Sequence, residues 1–186
     1  MAPRMSSEHN IPIEIVELVL NFIDDIDGKD DFGNTALHEA TFRRNINTLK
    51  YLLEKNADVN AKNFDGRTPL HLISLKYWDV NCIECIKTLI DHKADVNAVD
   101  KDLISPLHLA CLNKNIAVAK YFIENGADSS LRDNDGRTVF HYGCMVNTSH
   151  VPEPQFEDYR KIQTEDILNL FIEEELLVNC VDKFEI

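Results

Sequence analysis

The sequence is short of basic residues, and this shortage argues against two classes of partner. Its 186 residues include 19 lysines and arginines against 32 aspartates and glutamates, which gives a formal net charge of −13. A field of this sign repels the phosphates of nucleic acids and of anionic membranes. We therefore expect no nucleic acid or membrane as partner, but a protein whose surface is basic or apolar.

Long apolar runs and catalytic constellations are missing as well. No run approaches the roughly 18 apolar residues of a membrane span, and the N-terminus lacks the shape of a signal peptide. Only six glycines occur, and none belongs to a Gly-rich phosphate loop. Acid pairs such as Asp30-Asp31 fall in turns, where aspartate is favoured by local hydrogen bonding. We therefore expect no catalytic residues, no cofactor and no metal.

The cysteines do not form a disulfide pattern. Cys82, Cys85, Cys111, Cys144 and Cys180 are an odd number, and most of them fall at helical positions. This favours reduced, buried thiols in a protein of the cytoplasm or nucleus. Cys82 and Cys85 form a single C-x-x-C pair, whereas a zinc site usually needs a second pair or nearby histidines.

One four-residue phrase occurs four times. Its copies are Thr35-Ala36-Leu37-His38, Thr68-Pro69-Leu70-His71, Ser105-Pro106-Leu107-His108 and Thr138-Val139-Phe140-His141, at intervals of 33, 37 and 33 residues. A fixed period of about 33 residues predicts a solenoid of stacked repeats. Such folds generally bind other molecules rather than catalyse.

Each position of the phrase suits the start of a helix. Thr or Ser fits the N-cap, where its hydroxyl can accept a backbone N–H, and Pro fits the first helical position. Leu begins the buried face. The histidine ring can donate a hydrogen bond to a loop carbonyl and hold one repeat against the next, which predicts a structural role for His38, His71, His108 and His141.

A glycine two residues before the cap supplies a turn with positive φ in three of the four copies, at Gly33, Gly66 and Gly136. The third copy has Leu103 in this place. Either its turn changes type, or the leucine bears left-handed strain of about 1 kcal/mol.

The end of each unit completes a known pattern. Asn56-Ala57-Asp58-Val59-Asn60, Lys93-Ala94-Asp95-Val96-Asn97 and Gly126-Ala127-Asp128 follow the second predicted helix. Together with the phrase, they resemble the ankyrin-repeat family, whose consensus reads D-x-x-G-x-T-P-L-H-x-A and, later, G-A-D-V-N-A. The resemblance extends over nearly all of the chain from about Pro12. It implies an all-α solenoid of stacked helix-turn-helix units with β-turn fingers.

The resemblance also divides the chain. Residues 1–11 are expected to be a mobile tail, and residues 12–29 a half repeat that caps the stack with a helix near 12–22. Four repeats are expected at 30–62, 63–99, 100–132 and 133–186, the first with helices near 36–43 and 46–55, the last with its second helix near 166–174.

Two repeats carry extra residues. Repeat two is four residues longer within 75–81, which predicts a longer loop or an extra helical turn. Repeat four carries an insertion of about 16 residues near 147–163, expected as an exposed loop. This loop is either a tolerated insertion or a partner contact through Phe156 and Tyr159. Because the chain stops in a turn, it is expected to be cut from a longer array.

The resemblance implies a contact surface on the turn tips and on the exposed side of each first helix. At matched positions, four large apolar residues form a column, flanked by three more at the turns: Phe42, Leu75, Leu112 and Met145, with Phe32, Phe64 and Ile104. The other candidates are Arg43, Arg67, Lys76, Tyr77, Trp78 and Asn113. An exposed apolar stripe rimmed by charge usually marks an interface. The alternative is that some of these side chains pack on a neighbouring repeat.

Two asparagines fit a modification pattern of the family. Asn60 and Asn97 end the Asp-Val-Asn segments, and ankyrin asparagines in such a context are hydroxylated in animals. The alternative is that both residues only hold the loop.

These patterns predict a monomeric protein-interaction module that presents a preformed surface, so that little entropy is lost on binding. Two alternatives stay open. The chain is a regulatory segment of a larger effector, channel or enzyme, or it is a small ankyrin protein of the NF-κB-inhibitor type.

Overall fold

The computed structural model describes residues 13–20, 25–75 and 81–145. Within these ranges the chain forms helices and no strand: α1 Ile13–Leu20, α2 Ala36–Phe42, α3 Ile46–Glu54, α4 Pro69–Ser74, α5 Asn81–Asp91, α6 Pro106–Leu112, α7 Ile116–Glu124 and α8 Val139–Cys144. The predicted all-α fold is therefore confirmed. No helix in the described ranges has the length and apolar character needed to cross a bilayer.

Several predictions concern residues outside the described ranges. These are the tail at 1–11, the longer segment of repeat two with Lys76, Tyr77 and Trp78, the insertion near 147–163 with Phe156 and Tyr159, the helix near 166–174, and Cys180.

The helices form two layers. The first helices of successive units, α2, α4, α6 and α8, pack side by side in one layer, and α3, α5 and α7 form the other. Helix α1 packs against α3, in the place that the second helix of a preceding unit would take.

Apolar side chains fill the space between the layers. The phrase leucines Leu37, Leu70 and Leu107 are completely buried, together with Leu52 and Phe122 of the second layer. Burying a side chain of this size contributes about 1.5–3 kcal/mol. Because each unit supplies only part of this core, the units are stable when stacked.

Each first helix begins at the hydroxyl residue of the phrase. Thr35, Thr68, Ser105 and Thr138 have extended backbone at the N-cap. The histidine three residues later takes the position that Glu or Gln holds in a capping box, and its ring Nδ1 accepts the N-cap N–H. The Ser105 hydroxyl accepts the His108 N–H at 3.4 Å. In all four copies the hydroxyl also lies close to the histidine Nδ1, at 2.8 Å for Ser105 and at 2.9–3.0 Å for the threonines.

The other ring nitrogen joins neighbouring units. Because Nδ1 accepts, Nε2 carries the proton of a neutral ring and donates it. The acceptor is the Arg67 carbonyl for His38, at 2.9 Å, and the Ile104 carbonyl for His71, at 3.0 Å. His108 is equally buried, but its Nε2 has no hydrogen-bond partner among the described residues.

Candidate interaction surface

Each finger is a tight turn closed by the side chain of its first residue. Asp30 Oδ1 accepts the N–H groups of Phe32 and Asn34, at 2.9 and 2.8 Å. Asn63, Asp100 and Asp133 make the same pair of bonds in the other fingers. A backbone hydrogen bond from the first residue to the carbonyl of the fifth completes the turn in each finger. The side-chain bonds explain why Asp or Asn begins every finger.

The fingers are also joined to one another through the backbone. The N–H of Phe64 donates to the Phe32 carbonyl, that of Lys101 to Asp65, and that of Asn134 to Asp102, each at 3.0 Å. The tips, residues 31–33, 64–66, 101–103 and 134–136, therefore form one continuous edge, which we call the fingertip ridge. The spacing of the tips is fixed before any partner binds.

Leu103 adopts the glycine conformation. Its φ is 59°, against 78°, 81° and 76° for Gly33, Gly66 and Gly136. The third finger thus keeps the turn of its neighbours, and the leucine bears the left-handed strain that was one of the two predicted possibilities. Its side chain is 43% exposed.

Large apolar side chains are exposed on the fingertip ridge. Phe32 is 73% exposed and Phe64 is 57% exposed, as their predicted role as contacts requires. Leu103 was not predicted as a contact, and its only signal in the sequence was the departure from glycine. Ile104, which was predicted, is half-buried and packs against the core.

The apolar column on the first helices is less exposed than predicted. Phe42, Leu75, Leu112 and Met145 are all half-buried. Leu112 and Met145 pack against the core, so the alternative that the column covers neighbouring repeats holds for these two. The reason is that the adjacent first helices approach closely enough to cover one side of each residue.

Two polar candidates are engaged within the fold. Asn113 is 6% exposed, and its amide donates to the carbonyls of Ser74, at 2.8 Å, and Leu109, at 3.1 Å. The predicted contact of Asn113 with a partner stays a prediction, and its burial leaves little of the side chain for such a contact. Arg67 Nε lies 3.2 Å from Oδ2 of the buried Asp100, which ties the second finger to the third. Arg43 is exposed and pairs with Glu39 on its own helix.

The fourth finger holds a compact polar cluster. Asp133 Oδ2 accepts from Arg137 Nε, at 2.6 Å, and from the Tyr142 hydroxyl, at 2.8 Å. Burial alone would raise the pKa of Asp133, but the hydrogen bonds from Arg137 and Tyr142 outweigh it and lower this pKa to about 2. Burial and the same carboxylate raise the pKa of Tyr142 to about 12. The cluster locks this finger onto α8.

The ridge carries carboxylates that no basic side chain of the described residues neutralises. Asp31, Asp65 and Asp102 are exposed and form no ion pair within the described residues, whereas Asp135 pairs with Arg137 at 2.7 Å. Lys101 is exposed beside them. The first three fingers therefore combine exposed apolar side chains with a surplus of negative charge.

Comparison with known families identifies this architecture. Residues 5–100 and 78–151 match the family model described as ankyrin repeats (3 copies). These overlapping stretches include well over half of the chain. The chain belongs to the ankyrin-repeat family. The family predicted from the repeated phrase is therefore confirmed.

Similar ankyrin segments occur in proteins of several kinds. The chain is 34% identical over 116 residues to a Caenorhabditis elegans homolog of transient receptor potential cation channel subfamily A member 1, covering 62% of the chain and 9% of that protein. It is 30% identical over 135 residues to human SH3 and multiple ankyrin repeat domains protein 2, covering 73% of the chain and 7% of that protein. An ankyrin repeat protein of Acanthamoeba polyphaga mimivirus is 29% identical over 167 residues, covering 78% of the chain and 28% of that protein. The chain thus spans less than a third of the length of these relatives.

The two asparagines of the predicted modification pattern join ankyrin repeats in this chain. Asn60 donates to the Lys93 carbonyl at 3.1 Å and accepts the Asp95 N–H at 2.8 Å. Asn97 makes the same pair of bonds with Gly126, at 3.0 Å, and Asp128, at 2.7 Å. Both amides therefore have a structural role, whether or not they are modified.

The C-x-x-C cysteines lie inside the ankyrin core. Cys82 and Cys85 are completely buried, and burial raises the pKa of Cys85 to about 12. A thiol of that pKa is neither a good nucleophile nor a ready metal ligand. Among the described residues, no group of three or more His, Cys, Asp or Glu side chains is arranged to hold a metal ion.

Proposed function

We propose that this ankyrin chain is a protein-interaction module that binds a protein partner through its fingertip ridge and concave face, without catalysis. The observation that carries the proposal is the exposure of Phe32, Phe64 and Leu103 on fingers whose spacing the backbone already fixes. Because the edge is already rigid, little entropy is lost when a partner binds, and the exposed apolar groups become buried in the contact. Membership of a family that mediates protein interactions supports the same function.

The properties of the partner follow from charge. The formal charge of −13 and the unpaired carboxylates on the ridge favour a partner with a basic or apolar surface, and disfavour nucleic acid and anionic membrane. Because its cysteines fit the pattern of reduced thiols, we propose that the chain is located in the cytoplasm or nucleus. We also propose that it is a monomer. The NF-κB-inhibitor-like alternative stays a prediction.

A second candidate function is a regulatory ankyrin segment of a larger protein. The similarity to the channel homolog and to the SH3 protein supports it, because the chain matches only 9% and 7% of their lengths. Sequencing the transcript beyond Ile186 tests it. A further Thr-Pro-Leu-His phrase in register would favour this candidate, and a stop codon there would count against it.

Affinity capture with paired variants tests the interaction itself. The fingertip variant carries Phe32→Ser and Leu103→Gly, and the concave variant carries Phe42→Ser and Leu75→Ser. We expect wild type to retain a protein that one or both variants lose, while circular dichroism shows each variant folded. An unrelated acidic protein of equal net charge serves as control for non-specific capture. Retention of the same proteins by that control, or by both variants, would refute the proposal.

A further inference from the structure

We infer that the fingertip ridge of repeats one to three docks a basic, apolar segment of a partner protein, and that Leu103 serves this contact rather than folding. The inference rests on the proposed function and narrows it to one surface and one chemistry.

Leu103 contributes little to the stability of the fold. Its φ of 59° is a conformation that glycine adopts without strain, and the other three fingers have glycine there. The side chain is also 43% exposed and is not part of the buried core. A leucine that is strained and exposed is unfavourable for stability on both counts. Strain held at an exposed position points to a role outside the fold.

The neighbouring fingers extend the same surface. The Phe32 carbonyl accepts the Phe64 N–H, so the first two aromatic tips are adjacent. A Cβ placed on Gly33 would lie 2.5 Å from Cδ1 of Phe64, so the Phe64 ring rests directly over that glycine. With adjacent units 8–10 Å apart, three fingers extend over about 20 Å. An edge of this length suits an extended peptide segment rather than a small molecule.

Charge selects the sign of that segment. Asp31, Asp65 and Asp102 lie on the same three tips and are exposed without an ion pair among the described residues. Lys101 is the one exposed base on these tips. A segment that places apolar side chains on Phe32, Phe64 and Leu103 and basic side chains between them satisfies both features. The concave column fits less well, since all four of its residues are half-buried.

Selection from a library of random 12-residue peptides displayed on phage, against the immobilised full chain, tests this inference. A peptide of this length spans about 40 Å when extended, enough to reach all three tips. Enriched peptides are synthesised with a fluorescent label, and their dissociation constants are measured by anisotropy. We expect them to combine Lys or Arg with large apolar residues, and to bind more weakly as salt is raised.

Single variants then assign the site. We expect Phe32→Ser to weaken binding by about tenfold, as for an aromatic contact that the partner buries. Leu103→Gly should weaken binding by about fivefold and yet raise the midpoint of thermal unfolding, because it removes the backbone strain. A change that stabilises the fold while weakening binding cannot be attributed to misfolding. Leu18→Ser changes an exposed apolar side chain of α1 outside the proposed contact surface, so it is the matched control and should leave the affinity unchanged. Phe42→Ser tests the concave face separately.

Four results would overturn the inference. Enriched peptides that are acidic would refute the chemistry. A Leu103→Gly variant that binds as well as wild type, or that unfolds at a lower temperature, would show that Leu103 serves the stability of the fold and not the contact. Peptides that lose affinity in Phe42→Ser but not in Phe32→Ser would leave the proposed function standing and move the site to the concave face. Failure to enrich any peptide would count against both.

Discussion

His71 shows how one residue can serve two units of the stack. Its Nδ1 accepts the Thr68 N–H at 3.1 Å, and its Nε2 faces the Ile104 carbonyl of the next unit at 3.0 Å. The bond to Nδ1 requires the neutral ring, because a proton on Nδ1 would face the Thr68 N–H. Burial of the ring lowers its pKa to about 4 from an ordinary value of 6.5.

This shift makes the stack sensitive to acid. The folded-state pKa of His71 lies below the unfolded value, so between pH 6.5 and 4 the unfolded chain binds more protons. The stabilisation is present above pH 6.5 and is lost as the pH falls toward 4, by about 3 kcal/mol in total for this residue. Burial also lowers the pKa of His38 and His108, so these rings act in the same direction.

The variant His71→Gln tests this effect. Gln does not titrate and can still donate to the Ile104 carbonyl. We expect the variant to be less stable at pH 7, but to lose less free energy of unfolding than wild type between pH 6.5 and 4. Urea denaturation across that range gives both values. Equal pH dependence in the two proteins would show that His71 does not contribute.

At the residue scale, the sequence predicted backbone roles better than exposure. The position of His71 in the phrase predicted its bond to the next unit, because the helix start determines where the ring points. Asn113 was placed on the surface by alignment, but the Ser74 carbonyl that accepts its amide belongs to the preceding unit. Exposure depends on residues more than 30 positions away, which a local pattern does not contain.

Among the elements, the fingers make the most specific demands on glycine. Gly33 and Gly136 both have positive φ, but their surroundings differ. A Cβ on Gly33 would lie 2.6 Å from the backbone N of Phe64, whereas a Cβ on Gly136 would have no atom of the described residues within 4 Å. The first finger is therefore covered by its neighbour, whereas the described residues place no neighbour over the fourth.

Matched alanine substitutions separate strain from contact. Gly136→Ala should lower the free energy of unfolding by about 1 kcal/mol, the cost of a left-handed alanine. Gly33→Ala adds a clash with backbone that cannot move freely, and should cost about 3 kcal/mol. Thermal or urea unfolding of the two variants gives the difference. Equal losses would mean that the fingers are not in contact in solution.

Helices α5 and α6 bury their thiols, whereas α8 ends on an exposed one. Cys82, Cys85 and Cys111 are completely buried, and burial raises the pKa of Cys85 and Cys111 to about 12. Cys144 is exposed. Since the thiolate is the reactive species, the buried thiols are protected twice, by access and by protonation.

Alkylation rates check this distribution. With iodoacetamide at pH 7.5, we expect Cys144 to react at least about tenfold faster than Cys82, Cys85 or Cys111. Peptide mapping by mass spectrometry resolves each site. The same reaction in guanidinium chloride is the control, where the four rates should converge. Rapid labelling of Cys85 in the folded chain would contradict the packing of α5.

At the element scale, the start of each first helix was predictable and the residues on its exposed side were not. Thr35, Thr68, Ser105 and Thr138 begin their helices as predicted, because N-cap chemistry is local. The backbone conformation of Leu103 was ambiguous from the sequence, since a strained leucine and a different type of turn both replace the expected glycine. The neighbouring fingers settle it through their backbone bonds.

Within the whole molecule, hydrogen bonds of the same kind recur at successive junctions between units. Besides the histidines and asparagines, Lys29 donates to the Lys62 carbonyl at 2.8 Å, and Lys62 donates to the Val99 carbonyl at 2.9 Å. Stability is then close to a sum of unit terms and junction terms.

The asparagine junctions test this additivity. Asn60→Ala and Asn97→Ala each remove two hydrogen bonds at different junctions. Because these groups are solvent-exposed, each variant should lose about 1 kcal/mol of unfolding free energy. The double variant should lose the sum, since the sites share no partner. A double-variant loss well away from the sum, measured by urea unfolding, would show that the junctions are coupled.

The contact surface illustrates the limit of prediction for the whole molecule. Phe32 and Phe64 were predicted because turn tips are exposed in any stack of this kind. The helix column was overestimated, since its exposure depends on how closely adjacent units approach. Leu112 and Met145 contact the core for that reason.

The recurring junctions have a consequence for inheritance. His38 and His71 bind the following unit in the same way, and so do Asn60 and Asn97. The same bonds can therefore form whichever two of these units are adjacent. A recombination event that duplicates or removes one whole unit of about 33 residues creates a junction whose donors and acceptors already match. A deletion that ends inside a finger or a helix instead shifts these side chains away from their carbonyls. Genes for such chains can therefore grow and shrink by whole units, while the residues on the exposed ridge diverge.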